Sequence, residues 1–213
     1  MAEEIIIIGA GGLGKEVVFL VQRLSNYQIL GFIDDNIEPG TIVCGYPILG
    51  DLKMLLERKH SINIVIAIAS PQIRKRIVKQ LESNPNYFYP TLIDPTALTG
   101  VNIILGKGNI LMANTTYTAD IELGDFNLVN IGSTMGHDLT MGSYNNIFPG
   151  CNISGNVSIG DANQFGTGTK IIPGIQIEDE VIAGAGAVII RNFGSQCTVV
   201  GVPAMKIIRK EDK

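Results

Sequence analysis

The sequence predicts a chain in two parts: a small α/β domain built on a parallel sheet, followed by a β-solenoid of triangular coils. Three observations carry this. Strand-like and helix-like segments alternate over residues 3–93, every sixth residue from Leu105 to Ile189 is apolar, and a repeat of eighteen residues overlies the hexads. The change of period puts the boundary between residues 1–94 and 95–213.

In the first part, "EIIIIGAGG" is a strand running into a glycine turn, and "KEVVFLVQRL" has the spacing of a helix. "QILGFIDD" is a second strand, "DLKMLLERK" a short helix and "INIVIAIAS" a third apolar strand. "PQIRKRIVKQLE" reads as a helix opened by Ser70 and Pro71, and "YFYPTLID" closes the set. Continuous apolar strands alternating with helices imply a parallel sheet buried on both faces. The run Ile5–Ile8 ends in glycine after four residues and follows two glutamates. It is too short for a signal segment, lacks a basic leader and reads as a strand.

From about residue 95 the helical signal stops. Leu105, Leu111, Tyr117, Leu123 and ten further apolar residues lead at intervals of six to Ile189. The tetrads "IILG", "IELG", "LTMG", "VSIG" and "IQIE" begin at 103, 121, 139, 157 and 175, and Asn109, Asn127, Asn145 and Asn163 form another column of the same period. Eighteen is three hexads, so one coil has three short strands and three corners. Apolar residues stack inward, Gly and Asn serve corners that need positive φ or a side-chain cap, and neighbouring coils bury what one coil cannot. The Asn column is structural on this reading. Thr115, Thr116, Ser133 and Thr169 are expected on the outer faces, where uncharged side chains can pack against another prism.

The chain is 46% hydrophobic and 17% charged, with a net charge of −4. No basic face suits nucleic acid and no block of like charge forms a tail. Cys44, Cys151 and Cys197 are scattered, odd in number and without metal-ligand spacing, as a reducing cytoplasm permits; core thiols are the expected role.

His137, in "TMGHDL", is one of only two histidines, and an aspartate follows it. It comes after inward Met135 and Gly136, so its side chain starts from a corner and can project outward. Asp138 could fix the imidazole's tautomer and stabilise its protonated form. "GAGGLG" at 9–14 fits G-x-G-x-x-G between a strand and a helix, with Asp34 and Asp35 about twenty residues on, as in Rossmann-like nucleotide sites. The domain is short of a second mononucleotide half and carries no sign of hydride chemistry.

The hexads resemble those of the left-handed parallel β-helix acyltransferases. With "GAGGLGKEV", "GFIDD" and the closing "GVPAMKI", the whole chain is similar to the bacterial sugar acetyltransferases of the NeuD/PglD family. The resemblance implies acetyl-CoA as cosubstrate, no metal, and a homotrimer with active sites between subunits and no membrane span. It makes His137 the general base, supported by Asp138, in direct attack on the thioester. It runs the pantetheine arm past corners equivalent to Gly155, Thr167 and Ala185. Asn146 matches a polar position beside the thioester where relatives can carry another histidine. Lys206 lies in the segment near the adenine end, as a phosphate partner or as a solvated end-cap lysine. A nucleotide-linked sugar is expected at Gly9, Gly11, Gly12 and Leu13, with Asp34 or Asp35 near the nucleotide. Many relatives acting on UDP-4-amino sugars have histidine at the place of Leu13, so thymine is as open as uracil. The leading expectation is N-acetylation of a nucleotide-linked 4-amino-4,6-dideoxy sugar for surface glycan synthesis. The runner-up is O-acetylation of a sugar hydroxyl, as in sialic-acid modification, and a non-catalytic nucleotide-binding scaffold is third.

Overall fold

The computed structural model describes residues 2–58 and 60–207. The chain divides into two compact units that meet between Pro95 and Thr96.

In the first unit, β1 (Glu3–Ile8), α1 (Gly12–Gln22), β2 (Tyr27–Ile33), β3 (Ile42–Val43) and β4 (Tyr46–Gly50) come first. They are followed by α2 (Leu52–Leu56), β5 (Ile62–Ile66), α3 (Pro71–Leu81) and the short strands β6 (Tyr87–Phe88) and β7 (Leu92–Ile93). The sheet runs β3–β4–β2–β1–β5–β6, parallel throughout except for the β3–β4 hairpin. Ile5, Ile6 and Ile7 are all fully buried. Consecutive strand residues face opposite sides, so this run can only be covered on both faces. Each such isoleucine contributes roughly 1.5–3 kcal/mol relative to an exposed one. As read from the sequence, Ser70 caps α3 by accepting from the Ile73 N–H, with Pro71 at its first turn. Arg23, at the end of α1, grips buried Asp94 with Nε–Oδ2 at 2.6 Å and Nη2–Oδ1 at 3.1 Å. The β3–β4 hairpin is new relative to the sequence reading. Its two-residue turn puts Cys44 (φ 49°) and Gly45 (φ 83°) at positive φ. A primed turn needs that conformation, but Cys-Gly is a weaker signal of one than Asn-Gly.

The second unit is a parallel β-solenoid. Ile110, Leu128, Asn146, Gln164 and Ile182 pair in succession, each eighteen residues from the last. The final step, Ile182 to Thr198, is sixteen, so the closing coil is two residues shorter. Corners recur with the hexads. Positive φ falls on every sixth residue from Asn102 to Gly186, and from Gly108 on always three after an apolar residue of the hexads. Besides Gly and Asn, this column accepts Asp120, Phe126, Asp138, Tyr144, Ala162 and Glu180, with Phe126 and Tyr144 stacked at 5.6 Å between ring centroids.

Each hexad has a second inward position, directly after the positive-φ residue. Along one edge it holds Asn109, Asn127, Asn145 and Asn163. Each Oδ1 accepts a backbone N–H from the next coil at 2.7–2.8 Å, ending on Val181. The Nδ2 groups of Asn109, Asn127 and Asn145 donate to glycine carbonyls of the corners. Along the second edge it holds Thr115, Ser133, Cys151 and Thr169, all fully buried. Thr115 donates to the Met112 carbonyl, Ser133 to Phe148 and Thr169 to Gly166. This corrects the expectation that Thr115, Ser133 and Thr169 form an outer packing face: all three are buried and their hydroxyls are spent inside the solenoid. The third edge is aliphatic, with Ile121, Leu139, Val157 and Ile175. Thus the three edges of the prism are chemically distinct. At the far end, Met205–Lys206 folds back antiparallel on Thr198–Val200 and ends the parallel stack.

Candidate active site

His137 stands on the aliphatic edge. Its strand, Thr134–Met135, buries Met135 and releases the chain at Gly136. The neighbouring coils pin this corner on both sides. Gly136 donates to the Ile153 carbonyl (2.8 Å), Asp138 to Ala119 (3.1 Å), and the His137 carbonyl accepts from Asn156 (2.7 Å). Gly136 is needed by the stacking, since a Cβ there would lie 2.5 Å from the Gly155 nitrogen. The imidazole therefore rises from a stiff mount, with 65% of its side-chain surface exposed.

His137 Nδ1 lies 2.7 Å from Asp138 Oδ2. An ionised carboxylate only accepts, so Nδ1 carries the proton of the neutral imidazole and Nε2 presents a lone pair. Asp138 takes positive φ (54°), which the short polar side chains of Asp and Asn tolerate best. The Nε2 edge of the ring lies over Gly155, one coil on. A Cβ at Gly155 would sit 2.4 Å from Nε2 and 2.5 Å from Cε1. Gly155 thus lies directly beneath the imidazole of His137.

The other residues expected around the donor are dispersed. Thr167 and Ala185 are exposed and share a column on the edge marked by Gly168 and Gly186, not the histidine's edge. Within one chain they are therefore not brought to His137. Asn146 is fully buried in the strand Asn146–Ile147, on a face of the prism reached after the next corner. Lys206 is exposed in the terminal hairpin. Cys151 is fully buried, with Sγ 3.5 Å from the Phe165 carbonyl and 3.3 Å from that of Gly166. Burial raises its thiol pKa. A protonated, enclosed thiol is not a nucleophile.

In the first unit the three glycines of G-x-G-x-x-G divide the work. Gly9 has φ 98°, and a Cβ there would meet Ile68 and the Ala67 carbonyl. Gly14 brings α1 onto the end of β1, where a Cβ would lie 2.1 Å from the Gly9 oxygen. Gly11 and Gly12 have nothing within 4 Å of that position and leave open space for a ligand. Leu13 is half-buried in the first turn of α1. Asp34 closes the loop, its Oδ2 accepting from the Ala10 N–H (2.9 Å) and its Oδ1 from the Asn36 N–H (2.9 Å). Asp35 is exposed and accepts from the Leu52 N–H through Oδ1 (2.9 Å), leaving its second oxygen toward solvent.

Of these, Gly9, Asp34 and Asp35 line a cleft of about 240 Å³ together with Ile8, Ile33, Asn36 and Leu52 and, from the segment after β5 and from α3, Ile68, Ile73, Arg76 and Ile77, whereas Gly11, Gly12 and Leu13 lie outside its walls. It opens at the carboxyl ends of β1, β2 and β5, where the strand order reverses and nucleotides bind in open α/β sheets. The α3 wall was not foreseen, although Ile73, Arg76 and Ile77 fall on one helical face. A larger depression of about 600 Å³ opens at the opposite strand ends, but Glu3 and Glu4 line it and would repel a phosphate. Among the described residues no group of three His, Cys, Asp or Glu side chains could hold a metal ion, and no helix is long and apolar enough to cross a membrane.

Comparison with known proteins matches residues 4–81 to the PglD N-terminal domain family. The acetyltransferase domain of PglB from Neisseria gonorrhoeae FA1090 aligns with a TM-score of 0.89 at 34% identity, over 96% of this chain and 100% of that one. The same domain in complex with acetyl coenzyme A gives 0.89 and 32%, over 97% and 100%. PerB from Caulobacter crescentus, in complex with CoA and GDP-perosamine, gives 0.87 and 29%, over 97% and 98%. The UDP-N-acetylbacillosamine N-acetyltransferase of Bacillus subtilis (strain 168) is 30% identical over 115 residues, 52% of either protein, so the match spans about half of that curated relative.

Proposed function

The chain belongs to the PglD-like family of sugar acetyltransferases, and from that premise we propose that it transfers acetyl from acetyl-CoA to the amino group of a nucleotide-linked 4-amino-4,6-dideoxy sugar. The observation that carries the chemistry is the His137–Asp138 pair, with Nδ1 held at 2.7 Å and Nε2 free. In the reaction the sugar amine attacks the thioester carbonyl carbon, and Nε2 takes the proton the amine loses. The tetrahedral intermediate then collapses, the C–S bond breaks, and the proton passes to the departing CoA sulfur. The products are an amide and free CoA thiol, with no covalent enzyme intermediate. Asp138 supports the imidazolium while it carries the proton.

The acceptor's nucleotide is assigned to the cleft at the carboxyl ends of β1, β2 and β5. Open backbone at Gly11 and Gly12 suits a pyrophosphate at the start of α1, and the outward oxygen of Asp35 suits a ribose or base donor. The PerB complex, with CoA and GDP-perosamine bound together, supports a nucleotide-sugar acceptor. The product serves surface glycan synthesis in the cytoplasm. The site is completed in a homotrimer, because a corner that projects away from its own core offers the histidine only half a pocket; light scattering giving three times 22.9 kDa is the expected result.

The test is thiol release from acetyl-CoA across a panel of UDP-, dTDP- and GDP-linked 4-amino sugars, their hydroxyl counterparts and free sugars. Turnover is expected with the nucleotide amino sugars alone, and His137→Ala should lower kcat by ~10²–10⁴. Acetylation of the hydroxyl sugars would replace this acceptor class, and near-full turnover by His137→Ala would remove the base assignment.

A further inference from the structure

The depression of about 600 Å³ at the amino ends of β1 and β5 lies outside the reaction proposed above. Its apolar walls come from Ile62, Pro90 and Phe88, and Phe88 is 53% exposed. Single exposed apolar residues are ordinary on a surface, but this ring shares its depression with two exposed carboxylates, Glu3 and Glu4. Glu3 accepts from a neutral group, Asn63 Nδ2 at 3.1 Å, and Glu4 meets Arg58 only at 3.7 Å. No cation among the described residues lines the depression. Burial, and then Tyr87 and Glu82 nearby, push the Tyr89 phenol up to about 12, so that wall stays neutral at working pH.

A phenyl face flanked by carboxylates is complementary to a cation carried on an apolar stem. The ring's negative face attracts the charge, the carboxylates pair with it, and the stem covers the apolar wall. Arginine fits better than lysine, because a planar guanidinium stacks on a ring while its fork meets two carboxylate oxygens. The main chain shows how such a group could be delivered. Phe88 lies on β6, the last strand of the six-stranded sheet, whose outer side pairs with no further strand of that sheet. Open sheet edges accept extended peptides as an added strand. We propose that this depression docks an extended segment of a partner protein, through an arginine seated between Phe88 and the carboxylates of Glu3 and Glu4. The opposite strand ends carry the nucleotide cleft, so a docked segment leaves that cleft open.

The probe is a fluorescein-labelled Thr-Val-Arg-Val-Thr peptide, set against the same peptide with neutral citrulline in place of arginine. Fluorescence anisotropy on the full chain should show the arginine peptide binding at least ~10-fold tighter, the value of one charge-assisted contact. Phe88→Ala should weaken that peptide ~10-fold, and Glu3→Gln combined with Glu4→Gln should do the same. Thermal unfolding checks that the alanine variant folds, and the glutamine pair, equal in size to the native side chains, reads the same contact if it does not. Glu122→Gln, which removes an exposed carboxylate of the solenoid, should leave binding unchanged. Absence of binding, equal binding of the two peptides, or equal weakening by Glu122→Gln would overturn the proposal, the last by reducing it to the general pull of an acidic surface. Binding of spermidine with the same dependence on Phe88 would replace the partner segment with a small polycation.

Discussion

The imidazole of His137 lies over Gly155, close enough that a single methyl group there would occupy the space of Nε2. Gly155 has no positive φ, so alanine meets no backbone penalty, and the ring above it is exposed and can swing aside. Gly155→Ala should therefore keep its melting temperature within a few degrees of wild type while displacing the imidazole. A misplacement of about 1 Å costs on the order of 10² in kcat. The pair of measurements is thermal unfolding and turnover. Wild-type kcat with a displaced ring would mean that the seat under the imidazole has no catalytic role.

Asp138 can be probed without disturbing the backbone. Asparagine already occupies the same corner one coil on, at Asn156 with φ 56°. Asp138→Asn should therefore preserve the fold and remove only the negative charge beside Nδ1. A fall in kcat smaller than that of His137→Ala is the expected outcome, because the imidazolium loses its partner. Wild-type kcat in this variant would assign Asp138 to corner geometry alone.

The glycine-rich loop gives a contrast within one motif. Gly14→Ala drives a Cβ to 2.1 Å from the Gly9 oxygen and should destabilise the first unit by at least ~1–3 kcal/mol, the usual range for overpacking. At Gly11 a Cβ meets no protein atom within 4 Å, so Gly11→Ala should leave unfolding unchanged. It should weaken only the nucleotide sugar, by calorimetry. Tight NAD binding to the wild type with no response to any nucleotide sugar would instead favour a dinucleotide site.

The hexads made most of this fold legible from sequence. The apolar residue three before each corner was read from Leu105 to Ile189, and the Asn column was read as structural. The hydroxyl column was not, although Thr115 stands six residues after Asn109 and Ser133 six after Asn127, in the same place of the hexad. Small polar side chains look like surface when taken singly. Inside a coil they are satisfied by corner carbonyls, which composition does not reveal. The site divides in the same way. His137 and Asp138 are neighbours in sequence, so their contact at 2.7 Å was legible, whereas the α3 wall of the cleft and the packing of the imidazole on Gly155 depend on contacts between distant segments.

Cys151 and Tyr117 set the alkaline limit of the solenoid. Burial is the largest cause raising both, the thiol from its ordinary 9.0 and the phenol from its ordinary 10.0. Tyr117 points into the core, where the nearby Thr115 hydroxyl opposes the shift only in part. Above pH 9 the unfolded chain loses protons that the folded chain keeps. Both groups thus contribute stability that is fully present below their unfolded values and is lost as pH rises through the folded ones. Denaturant unfolding from pH 8 to 11 should show midpoints falling from about pH 9 onward. Tyr117→Phe should flatten the fall above pH 10, where the phenol acts. Cys151→Ser should soften its onset and remain folded, because serine already serves this column at Ser133 and its hydroxyl can donate to the Phe165 or Gly166 carbonyl as the thiol does. The same variant should turn over acetyl-CoA at the wild-type rate. Its inactivity in a folded protein would bring back an acyl-cysteine route and displace direct attack on the thioester.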